Sequence, residues 1–172
     1  VATHRLSILG AEIPDTGVPL DAVANQIAAA TSPSVGDLLA YVFGAGADEG
    51  LKGSFKVPKN YVGSPVIVVT GILDGAPGAS DTLQVSWRKR AVAQNEAADG
   101  TFDAEQTGTQ KTIGSSGDNF SDEDLIEMLI SATAGDFAVD DQVYFHVYLD
   151  DGSSSYAGNF LVTDIEFQYA DA

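Results

Sequence analysis

The sequence predicts an all-β protein, an antiparallel β-sandwich of jelly-roll type. Three observations carry that expectation. Apolar and polar residues alternate with period two in several separate segments, turn residues interrupt the chain at intervals of roughly ten to twenty positions, and no strand–helix–strand rhythm is present. A chain of 172 residues fits one domain, large enough to bury about 70 % of its unfolded surface. Hydrophobic residues at 44 % and charged residues at 19 % belong to a folded chain rather than a disordered one. The absence of cysteine excludes disulfides, thiolate metal sites and a cysteine nucleophile.

The first fifty residues read differently from the rest. A short strand is expected at residues 5–9, and residues 20–30 read as a short, alanine-rich amphipathic helix with Val23 and Ile27 four apart. Residues 31–36 make a turn-rich break, residues 38–43 suit a strand, and Gly44, Gly46 and Gly50 form a flexible junction. Residues 1–50 are therefore expected to be an N-terminal arm or extension, and residues 51–172 the sandwich domain. Residues 1–10 lack the apolar core of a signal peptide, and no apolar run is long enough for a membrane helix.

Beyond Gly53 the elements follow in order. Residues 54–57 form a strand that ends at Pro58, which makes it an edge strand or a strand terminus. Residues 65–73 contain Val66, Ile67, Val68, Val69 and Thr70, a β-branched run suited to a strand buried on both faces. After a hairpin-sized loop at 74–81, residues 82–91 set Leu83, Val85 and Trp87 against Gln84, Ser86 and Arg88. Residues 95–119 are polar and glycine-rich with a weak strand at 110–113. Ser121 and Asp124 resemble a helix-capping pair, but Ile126, Met128, Ile130 and Ala132 have period two, so residues 125–133 are read as a strand. Turns at Ala134–Asp136 and at Asp140 and Asp141 precede a strand with Val143, Phe145, Val147 and Leu149 on one face and Tyr144, His146 and Tyr148 on the other. A polar turn at 150–155 leads to a closing strand, residues 160–169, with Leu161, Thr163, Ile165, Phe167 and Tyr169 sharing a face. About eight strands with long crossing loops, such as 95–109, favour a jelly roll over an immunoglobulin-like connection.

Charge and side-chain chemistry restrict the function classes. Eight Lys and Arg against 25 Asp and Glu give a net charge of -17, and Lys111 is the only Lys or Arg after Arg90. Such a field repels a phosphate backbone, and Arg88, Lys89 and Arg90 make only one short basic patch, so direct nucleic-acid binding is not expected. His4 lies near the terminus and His146 in mid-strand, with no nucleophile elbow and no histidine pair at metal spacing. Asp118, Asn119, Asp122, Glu123 and Asp124, or Asp136, Asp140 and Asp141, or Asp150 and Asp151, offer oxygens to a hard cation, but none has the spacing of a calcium loop. Trp87, Tyr61, Tyr148 and Tyr156 offer a stacking platform for a sugar, against which Trp87 shares its face with Leu83 and Val85. No catalytic, cofactor-binding or metal residue is assigned, and no enzymatic activity or cofactor is expected.

The segment Phe55, Lys56, Val57, Pro58, Lys59, Asn60, Tyr61, Val62, the β run from Pro65, the turn and strand over 134–149 and the closing 162–169 resemble a jelly-roll type domain of small virion proteins of tailed bacteriophages. The resemblance covers residues 53–172 and implies a capsid decoration or minor head protein, without catalytic residues and located in the virion. Its expected partners are the capsid protein lattice and identical subunits, as a homotrimer, contacted through the arm and a sheet edge; neither nucleic acid nor membrane is among them. A carbohydrate-binding module and a surface domain of a salt-adapted organism are the alternatives.

Overall fold

The computed structural model describes residues 2–8, 13–14, 40–44 and 50–171. Their strands are β1 (Thr3–Ser7), β2 (Ile13–Pro14), β3 (Tyr41–Phe43), β4 (Gly50–Lys56), β5 (Tyr61–Asp74), β6 (Thr82–Leu83), β7 (Val85–Val92), β8 (Gln106–Thr107), β9 (Lys111–Thr112), β10 (Leu125–Ser131), β11 (Gln142–Leu149) and β12 (Asn159–Asp171), with one 3₁₀ turn at Ala134–Asp136. One sheet has the order β1-β12-β5-β10, with β3 also on β12; the second has the order β2-β4-β11-β7-β8, and β6 and β9 pair separately. Every pairing is antiparallel. The two large sheets face each other, as the alternation predicts.

The core between them is built from inward-facing sets. Ile67, Val69 and Leu73 of β5 meet Ile126, Met128 and Ile130 of β10, and across the gap stand Val85 and Trp87 of β7 and Val143, Phe145 and Val147 of β11, all buried. Rings fill the middle: Phe167 lies 4.8 Å from Phe55 and 5.4 Å from Phe137, and Phe137 stacks on Trp87 at 6.1 Å between centroids. Trp87, Phe145, Val147, Ile165 and Phe167, the residues the alternation assigns to buried faces, are all fully enclosed.

The closing strand departs from strict alternation. Phe160 and Val162 lie in the same core as Ile165, Phe167 and Tyr169, while Leu161 points out toward Ala40 and Ile72. The reason is a bulge: Val162 pairs with Gly71 and Asp164 with Thr70, so Thr163 has no partner opposite, and its hydroxyl donates to the Thr70 carbonyl at 3.2 Å. Gly71 makes room, since a Cβ there would stand 2.6 Å from the Phe160 ring. The expected common face of Leu161 and Thr163 with Ile165 is thus corrected by one inserted residue.

Other boundaries shift as well. The expected strand at 82–91 divides at Gln84 into β6 and β7, and the polar 95–109 stretch contains β8. Gly50 is the first residue of β4 rather than part of a junction, and a Cβ on it would collide with the Val147 carbonyl oxygen of β11. Within the first fifty residues, β1 pairs with β12, β3 with β12 and β2 with β4, so these pieces are built into the chain's own sheets. The expected helix at 20–30 and the break at 31–36 lie outside the described residues. Arg5 fastens β1 across the outer face of its sheet, bonding Glu166 on β12 at 3.1 Å and Glu127 on β10 at 2.8 Å.

Two substitutions test this packing. Gly50→Ala is expected to destabilise the protein by about 1–3 kcal/mol through overpacking, and Val139→Ala, at an exposed site, by less than about 0.5 kcal/mol. Urea unfolding monitored by Trp87 fluorescence compares them.

Candidate functional site

The outer face of the second sheet is where the chain concentrates its cations. In β4, β7 and β11 the apolar residues turn inward, so the alternate positions turn outward: Lys52 and Lys56 from β4, Arg88 and Arg90 from β7, Tyr144, His146 and Tyr148 from β11. Register then lines them up. Arg88 lies opposite His146 and His146 opposite Lys52, forming one row across three strands; Arg90, Tyr144 and Ser54 form the next. Half of the chain's eight Lys and Arg thus share one face of a molecule whose net charge is -17.

An acidic segment, residues 93–105, leaves β7 and folds across one side of this face. Arg90 Nη2 donates to the Ala97 carbonyl at 3.0 Å, and Gly100, at φ +144, lies directly on the Arg90 guanidinium. Arg90 Nε is buried without a hydrogen-bond partner. Farther along, Arg88 Nη2 bonds Glu105 Oε2 at 3.0 Å, and the Tyr148 hydroxyl donates to the same carboxylate. Above the sheet, the Arg88 guanidinium stands 5.4 Å from the centre of the Tyr148 ring, His146 stacks on Tyr148 at 4.7 Å, and Phe102 reaches within 6.5 Å of His146. Together Lys52, Arg88 and His146 with residues 100–105 enclose an open groove of about 620 Å³.

These contacts set the protonation states. The Tyr148 hydroxyl and then Arg88 hold the Glu105 carboxyl below its ordinary value, against the opposing effect of burial. Burial, followed by the Glu105 charge, pushes the Tyr148 phenol up, and Glu105 raises Arg88. The alternation places Tyr148 on the face opposite Val147 and Leu149. It does point outward, but at 2 % exposure it is sealed under this network.

Beneath the segment runs a second ionic cluster that faces the core. Lys89, buried, bonds Asp103 at 2.6 Å and Asp136 at 3.2 Å and sits 5.5 Å from the centre of the Phe137 ring. Gln106 accepts from Trp87 Nε1 at 3.0 Å and donates to Thr133 and Asp136. Asp103 N also donates to the Lys89 carbonyl at 2.7 Å. Lys89 therefore ties the acidic segment to the 3₁₀ turn that joins the two sheets.

The remaining sequence candidates separate. Trp87, Tyr61, Tyr148 and Tyr156 are all buried, so they form no exposed stacking platform. Among the carboxylates considered for a cation, Asp118 pairs with Lys111 at 3.5 Å, Asp122 accepts from Gly75 N, Asp124 from Ser121 N and Asp141 from Ala138 N, while Asp140 pairs with Lys56. Asp150 accepts from the Ser86 hydroxyl at 3.3 Å. Among the described residues no three His, Asp or Glu side chains are grouped to hold a metal. His4 pairs with Asp171 at 2.8 Å and stacks on Tyr169, far from His146 in the fold. Arg88, Lys89 and Arg90 had been visible only as a short basic patch; period two already divides them into two outward arginines and one inward lysine, and that division was the signal for both clusters.

No family model matches the chain, and no curated protein is similar to it.

Lys89 gives the first test here. Replacing both Asp103 and Asp136 with alanine strands a buried ammonium and is expected to cost about 3–5 kcal/mol, whereas Lys89→Met, of similar volume, costs less because the two carboxylates retain water. The reverse order in urea unfolding would contradict the burial argument. The Tyr148–Glu105 contact has a pH signature at both ends. Glu105 is depressed, so its contribution is present above its ordinary 4.5 and lost as pH falls through the lowered value; Tyr148 is raised, so its contribution is present below its ordinary 10.0 and lost as pH rises through the higher one. Glu105→Gln should flatten the acid limb of stability against pH, and Tyr148→Phe the alkaline limb. Tyr61 and Tyr156 are likewise raised, so the phenolate absorbance that Tyr61, Tyr148 and Tyr156 contribute should develop above pH 10.0, and Tyr148→Phe should remove part of that alkaline rise.

Proposed function

We propose that this protein is a non-enzymatic structural component of a virion, a capsid decoration or stabilising protein of jelly-roll topology that assembles with the capsid lattice and with identical subunits as a homotrimer. What supports the topology is the nesting of its pairs: β3 with β12, β4 with β11, β5 with β10 and β7 with β8, the arrangement made when one long antiparallel hairpin is rolled into two sheets.

The observation that carries the role is an apolar row on the outer face of the first sheet. Register sets Val42, Leu161, Ile72 and Leu125 side by side across β3, β12, β5 and β10. Leu161 and Ile72 are buried with Ala40, while Leu125 and, two pleat repeats away on the same face of β10 beyond Glu127, Leu129 are 62 % and 46 % exposed. Two exposed leucines on an edge strand, continuous with an apolar row, are what a contact with another protein surface covers. On this reading the contact runs through a sheet face and its β10 edge, while β1, β2 and β3 pair within the chain's own sheets.

Density-gradient purified phage particles from the source, probed with antibody to this chain, should carry it at a fixed ratio to the capsid protein. Detection only outside the particle fraction would overturn the reading. Leu125→Asp with Leu129→Asp should lower co-sedimentation with particles by at least about tenfold without changing the fold, because both side chains lie on the surface.

A further inference from the structure

We infer that the groove between Lys52, Arg88 and His146 and the segment 100–105 is a binding site for an acidic oligosaccharide, one carrying a carboxylate among its hydroxyls. Three features of the groove select that chemistry. Its floor is a row of nitrogen donors, Arg88, His146 and Lys52, spaced by the separation of neighbouring strands, so it extends roughly 10 Å across the sheet. Its wall supplies carboxylate acceptors, Asp103 and Glu105, and one half-buried ring, Phe102, which stands beside His146. Donors, acceptors and an aromatic face within one open groove of about 620 Å³ match a ligand that presents hydroxyls on its edges and C–H groups on its faces.

Charge decides between a saccharide and an acidic peptide. The side chains of a peptide rich in Asp and Glu are acceptors only and would meet Asp103 and Glu105 with like charge. Sugar hydroxyls donate to those same carboxylates, leaving a single ligand carboxylate to lie along Lys52 and Arg88. The field of a chain with net charge -17 repels that carboxylate at long range, and Lys52 and Arg88 on the floor of the groove are the cations that attract it locally. The aromatic contact comes from Phe102, rather than from Trp87 and the tyrosines that the sequence put forward.

The site is independent of the lattice contact proposed above, because it lies on the opposite sheet. Titration calorimetry of the whole chain with two singly charged uronates, aldotetraouronate (a glucuronosyl xylotriose) and cellobiouronate, tests it, using maltotetraose as the neutral probe and a hexapeptide of alternating Asp and Glu as the acidic one. At least one uronate should bind saturably with a dissociation constant of about 0.1–1 mM, at least fivefold more tightly than maltotetraose. Lys52→Ala and Phe102→Ala should each weaken it about tenfold, and Lys52→Arg should restore most of the loss. Circular dichroism of each variant confirms that the fold is kept, and Leu125→Asp, remote from the groove, should bind as the wild type does. The inference is overturned if neither uronate binds up to about 10 mM, if Lys52→Ala and Phe102→Ala leave binding unchanged, or if the acidic peptide binds more tightly than the uronates. A Lys52→Ala chain that loses the uronate yet still sediments with particles separates this site from the role in the virion.

Discussion

The bulge at Thr163 is the constraint from which the rest of the sandwich follows. Strand β12 is long enough to run the full height of the first sheet and pairs with β5 throughout, yet its apolar residues are out of phase between the two halves. Without the inserted residue, either Phe160 and Val162 or Ile165, Phe167 and Tyr169 would point to solvent. Burying a single side chain of this size is worth about 1.5–3 kcal/mol, so two or three of them outweigh any local disruption of the ladder. The same phase change turns Leu161 outward and begins the apolar row on the opposite face. One irregularity therefore completes the core and creates the external surface.

Electrostatics is organised on the same scale. Arg5, Lys56, Arg88, Lys89 and Lys111 each meet a carboxylate from another part of the chain, and each of these contacts fixes a segment that has little apolar surface of its own: β1, the loop before β11, the 93–105 segment, the 3₁₀ turn and the loop after β9. Exposed pairs of this kind contribute only about 0–1 kcal/mol. Lys89 differs because its ammonium is buried, with its cation supported by two carboxylates and a ring. The acids in excess of these pairings leave a surface that repels others of the same sign.

Much of this was legible from residue pattern. The alternation in 143–149, 125–133 and 82–88 named the inward residues of β11, β10 and β7 correctly, because half-buried antiparallel strands write burial directly into period two. The β12 bulge was not legible, since Thr163 fits an alternating strand as well as an inserted one and only the opposing Gly71 distinguishes them. The pairings of β1, β2 and β3 were not legible, because these elements are short and their partners, β12 and β4, lie far along the sequence, where pairing leaves no local signature. The groove was half legible. Arg88 and His146 could each be placed on an outward face, but their alignment with Lys52 depends on register, and the covering role of Phe102 and Glu105 on the path of a polar loop that has no periodicity. Trp87 was correctly read as core, and with it went the stacking platform.

Strand β1 lies antiparallel to the end of β12, and the two are sewn together at their outer ends: Asp171 N donates to the Ala2 carbonyl, Ala2 N to the Asp171 carboxylate, and His4 to that same carboxylate. A pull applied at Ala2 and Asp171 therefore loads these bonds one after another, as a zipper opens, and meets little resistance before β1 peels away. A pull along the strands would instead shear the long β5–β12 and β4–β11–β7 ladders, with all their bonds resisting together. Resistance to force thus depends on its direction, low for peeling β1 from β12 and high for sliding the long strands past one another.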